Sequence, residues 1–233
     1  MTKKKLFKIL LSVVLLLIAI DIGLNWGMRW YVSRFDFPGD YRKIDYMFNH
    51  VDAQILLLGA STCMNSINPE ILEKDLGKSV FNGGINDQRL EFFDVMTETI
   101  FSYSTPELLI LVLRPDDLIR PGAGRLALMN IYYHRGHAKL DDYLNEGKLK
   151  KRILLESALY RFNTHWWRIL LYHFKSFGEL DHGGFVGKPV PKLPPNFPDV
   201  PAGNTVSPMN PRKLQCLENI LATCRKTGTN CGS

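Results

Sequence analysis

The sequence predicts an α/β protein with a parallel sheet, preceded by one helix that crosses a membrane. Two observations carry this prediction. An uninterrupted apolar run over residues 9–20 follows a lysine-rich amino terminus. Between residues 54 and 113, short apolar runs alternate with amphipathic helical segments in the order β-α-β-α-β. Such an alternation is typical of a parallel sheet with right-handed crossover connections.

The amino-terminal segment predicts a signal anchor, with a cytoplasmic tail over residues 1–8 and a span over residues 9–26. Lysines favour the cytoplasmic side of a membrane, whereas the tryptophans that follow the run favour its interface. The apolar run is short for a span, so a cleaved signal peptide is the alternative. Because no small-x-small cleavage pattern follows Ile20, we prefer the uncleaved anchor. Both alternatives place the rest of the chain outside the cytoplasm.

Charge and cysteine content exclude several classes of function. Removing the four lysines of the tail from the net charge of +6 leaves +2, too little to predict nucleic-acid binding. None of the four cysteines has C-x-x-C spacing, and we expect them to be buried small hydrophobes. The sequence therefore predicts no metal and no cofactor, and the membrane is its first expected partner.

The sheet is predicted within residues 52–118, after a juxtamembrane linker over residues 27–51. Three apolar runs are expected to be buried strands. Asn68-Pro69 begins the first connecting helix and Gly77 ends it. A second helix, residues 89–103, has apolar residues at helical spacing. The three predicted strands are residues 54–58, 79–82 and 107–113.

Residues 119–210 are predicted to be a helical and proline-rich insertion into a domain that extends from residue 52 to residue 233. Eight of the thirteen prolines lie between residues 189 and 211. Asn210-Pro211 then begins a helix that Gly228 ends. A strand should follow in an α/β domain, but only five residues remain. We therefore expect a fold that is incomplete at its carboxyl terminus, as in a truncation or a fragment.

Small and polar residues follow each of the three predicted strands. These segments are residues 59–62, 82–87 and 114–117. In an open parallel sheet the carboxyl ends of the strands share one edge, and ligands bind there. This arrangement is the strongest indication of function in the sequence.

The run from Leu56 to Ser61 (LLLGAS) resembles the first block of the SGNH/GDSL hydrolases, in which a serine follows a glycine by two residues after the first strand. Gly84 fits the glycine of the second block, and residues 114–117 fit the place of the third block, Gly-x-Asn-Asp. The resemblance covers roughly residues 52–118. It is closest to membrane-anchored SGNH-like proteins associated with modification of bacterial cell-surface polysaccharides.

The resemblance implies a flavodoxin-like sheet of the SGNH type and an esterase or O-acyltransferase that acts on surface glycans. Ser61 would be the nucleophile of acyl transfer, and the backbone N–H groups of Ser61 and Gly84 would stabilise the oxyanion. Two departures stand out. Asp116 replaces an asparagine, and only a protonated, buried Asp116 could donate to an oxyanion. The Asp-x-x-His block that supplies the catalytic base has no counterpart.

The other polar residues of this edge have two possible roles each. Asn86 and Asp87 could bind substrate, and we expect them to cap the helix that begins near Arg89. Arg114 could bind an anionic substrate or pair with Asp117. Ser61 itself could be a turn residue that bonds its own backbone.

No histidine fits the catalytic base by position. His50 precedes the first strand and should lie at the opposite edge, while His165 and His173 should pack an aromatic helix. His182 belongs to a predicted surface turn. The remaining two, His134 and His137, lie in the insertion that leaves the third strand and are the substitutes that could reach the site.

Three hypotheses remain open from the sequence. The first is a membrane-anchored esterase or O-acyltransferase that is incomplete or inactive in this chain. The second is a non-catalytic, membrane-tethered binding or scaffold protein that retains the cleft. The third is a product without a stable folded body, since a parallel sheet that lacks later strands exposes an unpaired edge.

Overall fold

A computed structural model of the chain describes residues 2–34, 40–119, 139–140, 149–162, 184–185 and 208–232. The chain divides into two compact units. The first, the helical unit, combines Met1–Arg42 with Leu128–Glu179. The second, the sheet unit, combines Lys43–Ala127 with Leu180–Ser233.

The helical unit contains a long amino-terminal helix, α1, that extends over Lys3–Arg34. An 18-residue window within its segment Lys3–Met28 has a mean hydropathy of 2.5 and no buried residues, so the length and composition of the helix suffice to cross a bilayer. Two short helices belong to the same unit, α6 at Leu149–Glu156 and α7 at Ala158–Phe162. The expected aromatic helix beyond Phe162 lies outside the described residues.

The sheet unit contains four parallel strands in the order β2-β1-β3-β4. β1 is central, so that Ile55 pairs with Val80 of β2 on one side and with Leu108 of β3 on the other. Leu108 also pairs with Asn230 of β4. The predicted α/β class and parallel sheet are thus confirmed. The strands are β1 Ile55–Gly59, β2 Val80–Asn82, β3 Leu108–Val112 and β4 Asn230–Gly232.

Within the part of the sheet unit that the structure describes, five α-helices and one 3-10 turn accompany these strands. Both Asn-Pro sequences begin helices as predicted, because each asparagine side chain accepts a hydrogen bond from the amide two residues later, at 3.0 Å. Gly77 and Gly228 end those helices in the left-handed region, at φ 65° and 76°. The helices are α2 Asp40–Asn49, α3 Ser61–Ser66, α4 Pro69–Leu76, α5 Leu90–Phe101 and α8 Pro211–Thr227, and the 3-10 turn is Pro115–Leu118.

The core lies on both faces of the sheet. On one face Ile55, Leu57 and Val80 form a cluster with Cys63 of α3, and Leu72 of α4 packs against it. Successive residues of a strand point to opposite faces, so the buried Leu56 and Leu58 belong to the other face.

The second half of α2 belongs to that other face. The ring of Tyr46 stacks on Phe81 of β2 with 5.1 Å between centroids. The hydroxyl of Tyr103 donates to the carbonyl oxygen of Met47 at 2.7 Å. Residues 43–51, which the composition predicts to be part of a linker, therefore lie in the sheet unit, with Ile44 and Phe48 buried.

Helices α5 and α8 are joined by a buried polar contact. Lys213 of α8, fully buried, forms an ion pair with Glu91 of α5. One helical turn after Glu91 on α5, the carboxylate of Asp94 accepts a hydrogen bond from the side-chain amide of Asn219 at 3.1 Å. These contacts position α8, and with it the strand that follows.

We expected no strand after α8, and this expectation is wrong. Gly228 turns the chain at the end of the helix, and Thr229 fixes its direction by donating its hydroxyl to the carbonyl oxygen of Pro106 at 2.8 Å. The amide of Asn230 then donates to the carbonyl oxygen of Glu107 at 3.0 Å, which starts the β4 pairing. Because only Gly228 and Thr229 separate α8 from β4, three residues remain to extend the sheet beside β3.

A hydrogen bond joins the two ends of the segment 119–209. The amide of Asn210 donates to the carbonyl oxygen of Leu118 at 2.9 Å. The two ends of the segment 119–209 are therefore neighbours, which is the geometry that an insertion at this position requires.

Candidate functional site

The candidate site is the edge of the sheet at which β2, β1 and β3 end. Because these neighbouring strands are parallel, Gly84, Ser61 and Asp116 follow them on the same side. Two hydrogen bonds tie the turn after β2 to β1. The Gly83 amide donates to the Leu57 carbonyl oxygen at 2.8 Å, and the Ile85 amide donates to that of Gly59 at 3.0 Å. The expected convergence of three strand ends is therefore present in the fold.

Ser61 is the first residue of α3 and is separated from β1 by Ala60 alone. The residue is partly buried, and its carbonyl oxygen accepts a hydrogen bond from the Asn65 side chain at 2.7 Å. Among the described residues its hydroxyl has no hydrogen-bond partner. The turn-residue alternative, in which Ser61 bonds its own backbone, is therefore not the arrangement found.

Gly84 is required because the turn after β2 passes very close to α3. A Cβ atom at this position would lie 2.5 Å from the backbone nitrogen of Met64 and 2.8 Å from its Cα. Any other residue would force these two backbone segments apart. The glycine that fits the family's second block thus has a packing reason to be there, whatever chemistry it performs.

Asn82, the last residue of β2, connects the two segments and was not singled out from the sequence. Its side-chain oxygen accepts a hydrogen bond from the Gly84 amide at 2.9 Å. Its side-chain nitrogen donates to the carbonyl oxygens of Cys63 and Ile67, at 2.9 and 2.8 Å. The Gly84 N–H would have to leave Asn82 before it could stabilise an oxyanion.

A buried lysine lies beneath this edge. The Nζ atom of Lys43 donates to the carbonyl oxygens of Gly84 and Gly184, each at 2.5 Å. Burial raises the pKa of the nearby Cys63 thiol to about 12, while the charge of Lys43 and a hydrogen bond from Gly84 act in the opposite direction. Cys63 is therefore a neutral thiol in the fold. The burial of Lys43 could not be predicted from local pattern, since a lysine in a polar helix normally points to solvent.

Arg114 pairs with Asp117, which was one of its two expected roles. Its guanidinium Nη2 lies 3.0 Å from Asp117 Oδ1, and its backbone amide donates to Oδ2 at 2.8 Å. The hydrogen bond and the charge of this carboxylate raise the pKa of Arg114. Asp117 is almost completely buried and also lies 3.9 Å from Arg89. The Arg114 guanidinium is thus held by a carboxylate of the same turn.

Asp116 lies on the open side of the same turn. A third of its side chain is exposed, and one carboxylate oxygen lies 3.7 Å from the Arg114 Nε atom. The burial that the sequence analysis required of Asp116 as an oxyanion donor is therefore not found.

Asn86 and Asp87 do not cap α5, so that expectation is wrong. The N-cap residue of α5 is Arg89, and no side chain caps the helix. Asp87 instead forms a turn at φ 54°, with its side chain exposed at the edge of the sheet. Next to this turn, Gln88 Oε1 and Arg89 Nη1 are buried and have no hydrogen-bond partner among the described residues.

The described residues do not place a histidine at the candidate site. His50 lies at the opposite edge, as expected, in a shallow depression with Gln54, Ser79 and Glu107, which precede the three strands. The other five histidines, including His134 and His137, lie outside the described residues. Within the described ranges, no group of three His, Cys, Asp or Glu side chains could hold a metal ion.

Comparison with known proteins adds no relative: no family model, no curated protein and no solved structure matches the chain.

Proposed function

We propose that this is a membrane-anchored extracytoplasmic protein with an SGNH-type cleft, acting as an esterase or O-acyltransferase on cell-surface glycans. The observation that carries the proposal is the position of Ser61. It follows the central strand of a parallel sheet, its hydroxyl makes no hydrogen bond to any residue that the structure describes, and Gly84 lies against the same helix. The strand order also corresponds to the first four strands of a flavodoxin-like sheet.

The membrane location rests on α1. A helix with this length, hydropathy and exposure is suited to lipid, and four lysines precede its apolar segment. The protein would cross the membrane once, with its amino terminus in the cytoplasm and the sheet unit outside. Glycans of the cell surface are then the substrates within reach.

In the proposed reaction the Ser61 oxygen attacks the carbonyl carbon of an ester, and its proton passes to a base. The ester's alcohol then leaves with a proton, and an acyl-serine remains. Attack by water completes hydrolysis, whereas attack by a glycan hydroxyl completes transfer. His134 and His137 are the candidates for the base, and the Ser61 amide is a donor for the oxyanion.

A binding protein without catalysis is the second candidate. Two groups that a catalytic site would use are already bonded within the protein, which favours this candidate. The Gly84 amide donates to Asn82, and the Arg114 guanidinium donates to Asp117. Such a protein would use the polar edge of the sheet to hold a glycan.

A comparison of three proteins separates the two candidates. The rate of p-nitrophenyl acetate hydrolysis is measured for the native chain, for Ser61→Ala and for Ser66→Ala, a matched control on the exposed end of the same helix. Catalysis by Ser61 predicts a loss on the order of 10³-fold in Ser61→Ala alone. Equal rates in all three would exclude the esterase and leave the binding function, to be measured as glycan affinity.

A further inference from the structure

The helical unit contains an aspartate on the apolar helix α1 that receives its hydrogen bonds from the start of α7. Asp21 Oδ1 accepts from the Ser157 hydroxyl at 2.9 Å and from the Leu159 amide at 2.8 Å. One turn along α1, the guanidinium of Arg161 bonds to the side-chain oxygen of Asn25. Two successive turns of α1 are thus joined to α7 by polar contacts.

The position of Asp21 along α1 fixes its depth in a membrane. Trp26 and Trp30 are 80% and 53% exposed, and tryptophan in such helices lies at the membrane interface. Asp21 precedes Trp26 by five residues, or about 7.5 Å along the helix axis. It therefore lies at the boundary between the acyl chains and the headgroups, where an unsatisfied carboxylate would be costly.

The donors that satisfy Asp21 have to lie at the same depth. They are Ser157, which directly precedes α7, and Leu159, the second residue of α7, so α7 cannot be located in the water above the membrane while these bonds exist. The side chains around them fit this location. Large apolar residues of α6 and α7 are exposed at 42–68%, and they are Leu149, Ile153, Leu159 and Tyr160.

The spacing and charge of the segment agree with an interfacial element. Leu149 and Ile153 are one helical turn apart, on one side of α6. The sequence between them, residues 150–152, is KKR, and a basic composition is typical of segments that lie on anionic lipid surfaces. Exposed apolar side chains next to an apolar helix continue the surface that α1 presents to lipid.

We propose that α6 and α7 form a second membrane contact, inserted at the boundary of acyl chains and headgroups in the outer leaflet, with the lipid bilayer as the partner. This inference rests on the proposed anchoring by α1. It adds that the protein lies against the bilayer through residues 149–162 instead of being attached by a single helix. Asp21 and Asn25 are the positioning residues that set the depth of α7.

The experiment measures the depth of a fluorescent label at three positions in the full chain. Single cysteines replace Leu16, Ile153 or Leu159 in a Cys231→Ser background, since the other three native cysteines are buried. The labelled proteins are reconstituted in vesicles of phosphatidylethanolamine and phosphatidylglycerol. Quenching by spin-labelled lipids is compared with quenching by iodide in the water.

We expect the labels at residues 153 and 159 to be quenched by lipids that carry the spin label near the headgroup, and to be shielded from iodide. Labels that iodide quenches and lipids do not would overturn the inference, whereas quenching of Leu16 by deeply labelled lipids would show that the anchor still stands. An unquenched Leu16 would refute the anchoring itself.

Two substitutions test the role of Asp21. Asp21→Leu removes the acceptor, and we expect the label at residue 159 to lose lipid quenching and become accessible to iodide, with Leu16 unchanged. Asp21→Asn keeps an acceptor oxygen and should behave as the native protein does. If Asp21→Leu leaves the label at residue 159 at its original depth, Asp21 does not position α7 and that part of the inference fails.

Discussion

The side chain of Asn82 receives the backbone N–H of Gly84, and this bond joins the turn after β2 to the helix after β1. Asn82 is fully buried and also donates to two carbonyl oxygens near the ends of α3. The geometry of the candidate site therefore depends on a residue that contributes no chemistry of its own.

Replacing Asn82 by alanine should destabilise the sheet unit. The change leaves the buried Gly84 amide without its partner and removes one hydrogen bond from each of two carbonyl oxygens, of which that of Cys63 keeps a longer bond from the Ile67 amide. We expect the free energy of unfolding to fall by about 2–4 kcal/mol. Urea unfolding of the protein in detergent measures the loss. Asn82→Asp keeps the shape of the side chain but places a carboxylate opposite two carbonyl oxygens. Its loss of stability should therefore be smaller in acid. A change below about 0.5 kcal/mol in Asn82→Ala would contradict the role given to the side chain.

Gly84→Ala should be destabilising because the added methyl group meets backbone atoms of Met64. Backbone cannot rotate away as a side chain can, so the expected cost is about 2–3 kcal/mol. Gly232→Ala is the matched control, since a methyl group there meets nothing within 4 Å. Thermal unfolding of both variants checks the difference. Equal midpoints would mean that the approach of the turn to α3 is looser than described.

The ion pair between Glu91 and Lys213 should show strong coupling. Lys213→Met alone leaves a buried carboxylate and should cost about 3–5 kcal/mol, whereas Glu91→Leu combined with Lys213→Met should recover much of the loss. A double-mutant cycle measures the coupling. Lys78→Ala breaks an ion pair with Glu107 that is about half exposed, and it should change stability little. Additive effects at Glu91 and Lys213 would argue against a buried pair.

Three of the four thiols should resist modification in the native protein. Burial, the largest cause in each case, raises the pKa of Cys63, Cys216 and Cys224 to about 12. Ellman's reagent at pH 8 should therefore titrate no more than one thiol, that of the partly exposed Cys231, and all four after denaturation. Rapid reaction of a second thiol without denaturant would be incompatible with this burial.

The same thiols predict a loss of stability in alkali. In the unfolded chain they lose their protons near pH 9, whereas in the fold their pKa is about 12. The native state then binds more protons than the unfolded state, so stability falls as pH rises from about 9 to about 12. Unfolding measured between pH 8 and pH 11 should show this fall, and Cys63→Ala should reduce it. If the stability of Cys63→Ala falls with pH as steeply as that of the native protein, groups other than Cys63 cause the fall.

The sequence predicted those parts of the fold that depend on local pattern. The apolar runs became β1 and β3, and the Asn-Pro and Gly signals placed both ends of α4 and α8. These features were accessible because a cap or a buried strand is determined by residues close in the chain. Ser61 and Gly84 were found for the same reason, as residues that follow strands.

What could not be predicted depends on contacts between distant parts of the chain. Lys213 has the pattern of a solvent-exposed residue, and only the packing of α8 on α5 buries it against Glu91. β4 has no apolar pattern of its own and forms because β3 offers it an edge. Lys43 likewise needs Gly84 and Gly184, which belong to other segments, before its burial can be understood.

The contact between Leu118 and Asn210 has a consequence for how this protein can change. Because Leu118 and Asn210 are in contact, the distance between the two ends does not depend on how many residues lie between them. The entropic cost of a longer loop also grows only slowly with its length. Residues 128–179 of the segment belong to the helical unit, whereas Gly184 belongs to the sheet unit and accepts a hydrogen bond from the buried Lys43. Changes of length within residues 128–179 should therefore leave the register of the four strands as it is. We expect insertions and deletions to be tolerated there, and a variant without these residues to keep the fold of the sheet unit.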